Sequence, residues 1–294
     1  MSGVLRLVLP KGSLEAATLR LFEEADLEVR RSSSVDYSAT IADPRIADVR
    51  ILRPQEIPRY VARGLFDLGI TGRDWIEETA SDVVSLGELH YSKATARPVN
   101  VVLAVGADSV VTKVEDLPPG ARVHTEYPEL TRRYLARHGV DAEVTLSYGA
   151  TEAKVPDIAD AVVEITETGR ALRAAGLRIV GTVLVSYTEL VANPAAWADP
   201  ARRQAMDDIL TLLQGTLEAR GKVLVKLNVG RDDLEAVIAE LPAMRAPTVS
   251  ELFGGGGYAV ETVVPKAEIN VLIPALRAAG ATDIIELPLS KIVH

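Results

Sequence analysis

Cysteine is absent from the 294 residues of the chain. This absence excludes a disulfide framework, a zinc site built on thiolates and catalysis by a cysteine nucleophile. Histidine is scarce, and its four copies are scattered at His90, His124, His138 and His294. No two of them have the spacing of metal ligands on one helix, so we expect no metal site that depends on histidine.

Positive charge is also in short supply, because 32 Lys and Arg face 41 Asp and Glu and leave a net charge of −9. Proteins that bind nucleic acid rely on clustered Lys and Arg, so the charge argues against that class. Apolar runs are short, and none reaches the roughly 18 residues needed to span a bilayer. The N-terminal run is too short for a secretory signal. We therefore expect a cytoplasmic protein with no nucleic-acid or membrane partner.

What the chain does contain is enough apolar sequence for a large core, with 48% hydrophobic and 25% charged residues. Strand-like and helix-like stretches alternate along residues 1–94, beginning with the apolar run LRLVLP and the helical pattern LEAATLRLFEEA. This alternation predicts α/β units with a largely parallel sheet. The pattern restarts near Val99, which predicts a second α/β lobe at residues 95–184, and residues 185–215 are assigned to the first lobe.

The last segment, residues 216–294, has the clearest pattern. Its predicted elements follow the order βαββαβ, which is the ferredoxin-like plan. The run GGGG at residues 254–257 lies between two predicted strands and begins no helix, so it predicts a hairpin loop and not a dinucleotide site. A long helix from Asp199 onward is expected to connect this domain to the rest.

The stretch EITETGRAL at residues 164–172 suggests a ligand site. Side chains alternate along a strand, so Asp160 and Glu164 are expected on one face near the end of a strand. The turn that follows, Thr166 to Gly169, is expected to present main-chain N–H groups and hydroxyls to a phosphate. Carboxylates beside a phosphate site are reasonable if the ligand is a sugar phosphate, because they can accept hydrogen bonds from its hydroxyls. The alternative is a threonine helix cap with solvated acids.

These residues resemble the phosphoribosyl pyrophosphate (PRPP) motif of the ATP phosphoribosyltransferase family. Other stretches are similar to the family in order along residues 4–294, among them LVLPKGSL, RILRPQEIPRYVARGLFDLGITGRDW, HTEYPELTRRYL, AVETVVPKAEIN and GATDIIELPLSKIV. The C-terminal matches resemble the long form of the family, which carries a regulatory domain. The resemblance implies a two-lobed periplasmic-binding-protein-like catalytic region followed by a ferredoxin-like domain.

The chain departs from the family pattern at four positions. Glu164 replaces a usual Asp, Ala171 a Thr, Asp157 a Gly and Ser13 a common Arg. Glu164 is one methylene longer and is still expected to reach a ribose hydroxyl. Ala171 lacks one hydroxyl for the phosphate, worth about 0.5–1.5 kcal/mol if that hydrogen bond is typical.

The resemblance implies that adenine N1 of ATP attacks C1 of PRPP and displaces pyrophosphate, the first step of histidine biosynthesis. N1 has a lone pair, so no residue has to deprotonate it, and catalysis rests on positioning and charge stabilisation. Mg²⁺, held largely by phosphate oxygens and water, is expected to neutralise the pyrophosphate. Its protein ligands are not apparent from the sequence.

The resemblance also assigns roles to individual residues. Asp160 and Glu164 are expected to bind the ribose hydroxyls. The 5-phosphate loop is expected to comprise Thr166, Glu167, Thr168, Gly169, Arg170 and Ala171. The residues expected to bind ATP or pyrophosphate are Lys11, Gly12, Arg53, Thr71, Gly72, Asp74 and Glu152. Three of these have plainer alternatives: a solvated loop lysine for Lys11, an interlobe salt bridge for Arg53 and a helix cap for Asp74.

The C-terminal domain of the resembling family implies feedback inhibition by histidine. We expect the loop Ala246, Pro247, Thr248 and Val249 to form part of that pocket, with an ordinary strand entry as the alternative. The resemblance further implies a homo-oligomer, with dimers assembling into hexamers. Two alternative functions stay open: a catalytically silent regulatory paralogue and a non-catalytic two-lobed protein that binds a small ligand.

Overall fold

The computed structural model describes residues 3–33, 35–91, 98–242 and 246–294. Its contacts divide the chain into two compact units, residues 1–213 and 214–294. Within the described ranges, no helix is both long and apolar enough to cross a membrane. The predicted boundary between the two lobes at residues 94 and 95 lies outside the described residues.

The first unit opens with an apolar strand and the helix that covers it. Leu5, Leu7, Val8 and Leu9 are fully buried in this strand, and the chain turns at Gly12, whose φ is +93°. The elements of this stretch are β1 (Leu5–Pro10), α1 (Glu15–Glu24), β2 (Val29–Arg30), β3 (Ser38–Ile41), β4 (Ile46–Leu52), α2 (Ile57–Ala62), β5 (Leu68–Gly72), α3 (Arg73–Thr79) and β6 (Val84–Leu89).

The next stretch forms a second sheet and then returns to the first. Its elements are β7 (Val99–Gly106), β8 (Ala121–Thr125), α4 (Pro128–Arg137), β9 (Ala142–Leu146), β10 (Ala161–Thr166), α5 (Arg170–Ala174) and β11 (Leu177–Ser186). The return is made by β12 (Thr188–Ala192), α6 (Pro194–Ala198) and α7 (Pro200–Ala219). Only Tyr187 separates β11 of the second sheet from β12 of the first.

Two mixed sheets result, and we call each sheet with its helices a lobe. The first lobe has the strand order β2-β3-β4-β1-β5-β12-β6, and the second has β11-β7-β10-β8-β9. The expectation of a largely parallel sheet is wrong for both. Only β4-β1-β5 in the first lobe and β10-β8-β9 in the second are parallel. The pairs that involve β3, β12 and β7 are antiparallel.

Strand β10 is buried on both faces, and this sets the direction of its polar end. Ala161 and Val163 belong to the core beneath α4, whereas Val162 packs with Leu172 of α5. Alternation then puts Glu164 on the same face as Val162, and the exposed Ile165 on the other. The last three residues of the strand are not buried, so the sheet opens to solvent there.

The second unit contains β13 (Lys222–Val229), α8 (Leu234–Glu240), β14 (Thr248–Glu251), β15 (Tyr258–Pro265), α9 (Ile269–Ala278) and β16 (Ala281–Pro288). Its sheet has the order β14-β15-β13-β16 and is antiparallel throughout. This is the predicted ferredoxin-like βαββαβ plan, which is confirmed. The GGGG run closes the β14–β15 hairpin, where the Leu252 N–H donates to the Gly257 carbonyl at 2.9 Å.

Candidate active site

A cleft of about 330 Å³ lies between the two lobes of the first unit. The first lobe lines it with Ser13, Leu14, Pro54, Gln55, Gly72, Asp74, Trp75, His90, Tyr91 and Thr188. The second lobe lines it with Val99, Glu126, Tyr127, Ile165, Thr166 and Glu167, and Ser186 and Tyr187 line it where β11 ends. Four of the predicted site residues therefore share one cavity: Gly72, Asp74, Thr166 and Glu167.

Asp74 is the most deeply buried acid of the cleft, with 3% of its surface exposed. The Tyr127 hydroxyl donates to one of its carboxylate oxygens at 2.7 Å, and the Ser186 hydroxyl donates to the other at 2.7 Å. Burial raises the pKa of Asp74, and these hydrogen bonds act against that rise. The plainer alternative of a simple helix cap does not account for these two long-range partners.

Tyr127 and Trp75 form an aromatic wall beside this acid. Their ring centroids lie 4.5 Å apart, with planes tilted by 36°. Tyr127 is buried, and burial followed by the charge of Asp74 raises its pKa well above the usual value for a tyrosine. The phenol therefore keeps its proton and acts as a hydrogen-bond donor at neutral pH. An apolar wall with a fixed polar edge is a typical surface for a flat heterocycle.

The turn after β10 is tightly folded. Gly169 is buried and has a φ of +70°, a left-handed conformation that favours glycine. Its N–H donates to the Thr166 hydroxyl at 2.8 Å, so this amide already has a partner. Arg173 donates to the Thr168 carbonyl at 3.1 Å. Thr168, Arg170 and Ala171 are exposed, and the short helix α5 begins at Arg170.

Glu164 lies half-buried near the end of β10. Its carboxylate accepts the N–H of Ile165 at 3.0 Å. Burial raises the pKa of Glu164, and the charges of Glu126 and Glu152 raise it further. Glu152 therefore belongs to the surroundings of Glu164, and it lies in the short helical turn Thr151–Lys154. Glu126 also lines the cleft, so the negative charge near Glu164 extends to the cavity wall.

Asp160 does not join this group, contrary to the prediction. The strand begins only at Ala161, so Asp160 lies at the opposite end of β10 from the cleft. Its carboxylate accepts two hydrogen bonds from the Arg122 guanidinium, at 2.8 and 3.2 Å, and one from the Arg122 N–H at 2.8 Å. These contacts with Arg122 lower its pKa. The predicted pair of carboxylates at one end of the strand is therefore wrong.

The predicted residues at the start of the chain form a separate group at the ends of β1 and β4. The Lys11 ammonium lies 3.8 Å from the centroid of the Tyr37 ring. Arg53 is exposed and makes no ion pair within the described part of the chain, so the alternative of an interlobe salt bridge finds no support there. A side chain on Gly12 would come within 3.8 Å of the Arg53 guanidinium, which puts Gly12 and Arg53 side by side.

Thr71 and Gly72 are held close to that group at the end of β5. The Thr71 hydroxyl is fully buried and donates to the Pro54 carbonyl at 3.1 Å. Gly72 lines the cleft, and a Cβ there would lie 2.0 Å from the Asp74 carboxylate. Gly72 is therefore required to make room for the buried acid.

Most of the residues that line the cleft are not predicted from the sequence, and the three that form its buried polar and aromatic wall are Tyr127, Ser186 and Trp75. Tyr127 and Ser186 are 53 and 112 residues away from Asp74, so no local pattern relates them. Tyr127 had one usable signal, its place between a predicted strand and the helix that begins at Pro128. Strand ends are where ligands bind in such sheets.

The predicted effector loop lies in the second unit. Thr248 and Val249 begin the edge strand β14, where all four residues are exposed. Pro247 is half-buried and Ala246 is exposed.

The chain is similar to known proteins along its length. Residues 53–215 match the family profile of ATP phosphoribosyltransferase, and residues 219–291 match the profile described as HisG, C-terminal domain. An ATP phosphoribosyltransferase of Desulforudis audaxviator is 48% identical over 98% of this chain and 99% of its own. ATP phosphoribosyltransferase 1 of Geobacter sulfurreducens is 45% identical over the full length of both.

A solved structure supports the same fold. The ATP phosphoribosyl transferase (HisG:HisZ) complex from Thermotoga maritima contains a chain with a TM-score of 0.62 and 26% identity. The match covers 73% of this chain and 99% of that one. The predicted α/β architecture of the catalytic region is thereby confirmed, and the ferredoxin-like domain is confirmed by the element order and four-stranded sheet of the second unit. The chain belongs to the ATP phosphoribosyltransferase family, in its long form, whose members are pentosyltransferases of histidine biosynthesis.

Proposed function

We propose that the interlobe cleft binds ATP and PRPP together and joins adenine N1 to ribose C1. The observation that carries this proposal is the shared cavity itself. Thr166 and Glu167 of the turn after β10 face the same space as Gly72, Asp74 and the aromatic wall. A sugar phosphate at the turn and a purine at the wall would have their reacting atoms in one enclosed volume.

The reaction does not require the protein to transfer a proton. The N1 lone pair forms the new bond to C1, and the bond from C1 to the pyrophosphate oxygen breaks, with its electron pair leaving on pyrophosphate. The contribution of the chain is to hold the two substrates in line and to stabilise the charge that develops. The protonated Tyr127 and buried Asp74 provide a fixed polar edge for the purine.

The turn from Thr166 to Ala171 is proposed to hold the 5-phosphate of PRPP. The first amides of a helix have no partner within it, so the N–H groups of Arg170 and Ala171 are open to an anion. The N–H of Gly169 is bound by Thr166, and a phosphate oxygen must displace that hydroxyl to use it. Thr168 and Glu167 complete the loop. Glu164 is proposed to accept a ribose hydroxyl, and Asp160 has no part.

The cationic group at the ends of β1 and β4 is proposed to bind the phosphates of ATP or the departing pyrophosphate. Arg53 is exposed, and its fork of N–H donors suits phosphate oxygens. Lys11 adds a second charge, and Gly12 keeps the approach to Arg53 open. Thr71 and Gly72 shape the neighbouring wall.

Mg²⁺ is the proposed metal ion. In the described residues, no group of three or more His, Cys, Asp or Glu could hold a metal by itself. Mg²⁺ commonly binds through one or two carboxylates together with substrate phosphates and water, and Glu126 and Glu152 beside Glu164 fit that requirement. Once bound, the ion would neutralise the charge of the leaving pyrophosphate.

We further propose that histidine inhibits the enzyme through the second unit, with Ala246, Pro247, Thr248 and Val249 near its site. A homo-oligomer of dimers that assemble into a hexamer and a cytoplasmic location are proposed on the same ground, membership in a biosynthetic family whose long form carries this domain.

The decisive experiment mixes the full chain with ATP, PRPP and Mg²⁺. We expect release of pyrophosphate together with a rise in near-ultraviolet absorbance as the N1 adduct forms. Omitting either substrate is the control. No product at saturating substrate, with both ligands still bound by calorimetry, would favour the silent regulatory paralogue, and binding of neither would favour a different small ligand.

A further inference from the structure

The first turn of α4 takes its hydrogen-bond acceptors from the other lobe. Tyr127 is the N-cap residue of this helix, but its side chain does not cap it, and Pro128 has no N–H. The two amides that remain, at Glu129 and Leu130, donate to the carboxylate of Glu78 at 3.1 and 2.8 Å. One side chain of the first lobe thus satisfies both open donors of a helix in the second lobe.

The surroundings of Glu78 suit it to accept these two amide hydrogen bonds. Only 8% of its surface is exposed, and it does not line the cleft. Burial raises its pKa, and the two amide hydrogen bonds act against that rise. A negative charge at a helix N-terminus is also favoured by the dipole of the helix.

Glu78 lies one helical turn after Asp74, so both carboxylates project from the same side of α3. Asp74 receives the Tyr127 hydroxyl at 2.7 Å, while Glu78 receives the two amides that follow Pro128. The Arg133 guanidinium donates to the carbonyl of Glu77 and adds a third link between α3 and α4. The first turn of α4 and the side chain of Tyr127 are therefore both held by α3.

We propose that Glu78 is a positioning residue for the transfer reaction. It holds the first turn of α4 against α3 and thereby sets the Tyr127 ring 4.5 Å from Trp75, which shapes the wall of the cleft. This inference deepens the proposed function and rests on it, because the wall matters for turnover only if a substrate lies against it. The claim that Glu78 positions Tyr127 against Trp75 can be tested without any substrate.

The geometric part is tested by fluorescence. The chain has two tryptophans, so Trp197→Phe leaves Trp75 as the single reporter beside Tyr127. In that background, Glu78→Ala is expected to shift the Trp75 emission to longer wavelength as the wall loosens and water enters. Glu77→Ala is the matched control, since its side chain pairs with Arg73 on the exposed side of α3. Equal spectra for the two variants would overturn the proposal.

The catalytic part is tested by a KM-against-kcat comparison in the full chain. Displacing a reacting group by about 1 Å can cost on the order of a hundredfold in rate, and we expect Glu78→Ala to lose about tenfold in kcat/KM, mainly through KM for ATP. Glu78→Gln keeps one carbonyl acceptor and is expected to recover part of that loss. This isosteric variant also keeps the test valid if Glu78→Ala folds poorly.

A double-mutant cycle asks whether Glu78 acts through Tyr127. Tyr127→Phe removes the hydrogen bond to Asp74, and if both residues serve one wall, the loss in the double variant will be smaller than the product of the single losses. Independent effects would overturn the proposal. Failure of the wild-type chain to form product would instead overturn the proposed function, while the Trp75 emission would still decide whether Glu78 holds the wall.

Discussion

At the scale of single residues, Gly169 is the position where the turn after β10 is most constrained. A Cβ at this residue would lie 2.8 Å from the Arg173 guanidinium and 3.2 Å from Ile179. It would also occupy a left-handed conformation, which costs a non-glycine residue about 1 kcal/mol or more. Any side chain there must push aside the arginine that binds the Thr168 carbonyl.

We predict that Gly169→Ala raises KM for PRPP about tenfold, the equivalent of about 1.4 kcal/mol, and leaves KM for ATP nearly unchanged. Gly176→Ala is the matched control, because Gly176 has a φ of +74° but no atom within 4 Å of its added Cβ. Initial-rate kinetics with each substrate varied in turn give the measurement. A similar rise in both KM values, or the same effect from both variants, would contradict a phosphate site at this turn.

Glu164 in β10 and Asp160, which precedes that strand, give a second prediction, because the structure gives them different surroundings. Glu164→Gln is expected to raise KM for PRPP by about tenfold, since a hydrogen bond to a charged group contributes roughly 1.5–3 kcal/mol. Asp160→Asn is expected to keep KM near the wild-type value and to lose at most about 1 kcal/mol of stability, as for other half-exposed ion pairs. Steady-state kinetics and urea unfolding test both; loss of PRPP binding in Asp160→Asn would restore the predicted ribose role.

The misplacement of Asp160 has a physical reason that one sequence does not reveal. The alternation along ADAVVEI correctly relates Asp160 to Glu164, but it does not say where hydrogen bonding begins. Arg122, on the neighbouring strand β8, binds the carboxylate from 38 residues away, at the end where β10 begins. Gly169, in contrast, was predictable, because a glycine after a strand and before a helix is required by the turn itself.

At the scale of elements, Asp67 joins two strands and a helix of the first unit. It precedes β5, and its carboxylate accepts hydrogen bonds from Arg6 of β1 at 3.0 and 3.1 Å and from Arg202 of α7 at 3.1 Å. Its side chain is 4% exposed. Burial alone would raise its pKa, but the hydrogen bonds and charges of the two arginines outweigh burial and lower it.

We predict that Asp67→Asn lowers the free energy of unfolding by about 2 kcal/mol at pH 7, less than the 3–5 kcal/mol typical of a fully buried pair because both arginines are partly exposed. A lowered pKa contributes stability above the unfolded pKa, near 3.9 for aspartate, and loses it as pH falls through the folded pKa. The difference from wild type should therefore shrink below about pH 4. Urea unfolding at several pH values measures it.

Asp48→Asn is the control for that prediction, because Asp48 pairs with Arg50 at 3.2 Å but is 40% exposed. Its loss is expected to stay within about 0.5 kcal/mol, since exposed ion pairs contribute little. A difference for Asp67→Asn that persists unchanged at pH 3 would mean that ionisation of Asp67 contributes nothing to stability.

Elements with local signals were predictable, and elements defined by distant partners were not. Strand β1 is predicted by its own apolar run, and helix α4 by Pro128 at its start and Gly139 just after its end. Neither prediction depends on the rest of the chain. Strand β11 was missed, because Gly181 and a shift in register interrupt its pattern, and it is stabilised by antiparallel pairing with β7. The same pairing made the sheet mixed where local alternation had indicated a parallel one.

At the scale of the whole molecule, the sharpest prediction concerns the second unit. Helix α7 continues to Ala219, so a truncation that respects the fold ends at Gly221 and removes residues 222–294. We expect this variant to lose inhibition by histidine, a coupling typically worth about 1–3 kcal/mol, and to keep measurable turnover. Turnover at rising histidine concentration is compared with that of the full chain; inhibition that survives truncation would put the effector site in the first unit.

The acid of one lobe that caps a helix of the other has a consequence for how the molecule can be divided. Residues 98–186 have their own sheet and core and look like a self-contained fragment. Excising them would leave two amides at the start of α4 without a hydrogen-bond acceptor. Such a fragment should fray there and bind bis-ANS more strongly than the intact chain does. The two lobes of the first unit are therefore not independent modules. Transferring the second lobe to another scaffold would require a replacement carboxylate at the start of α4.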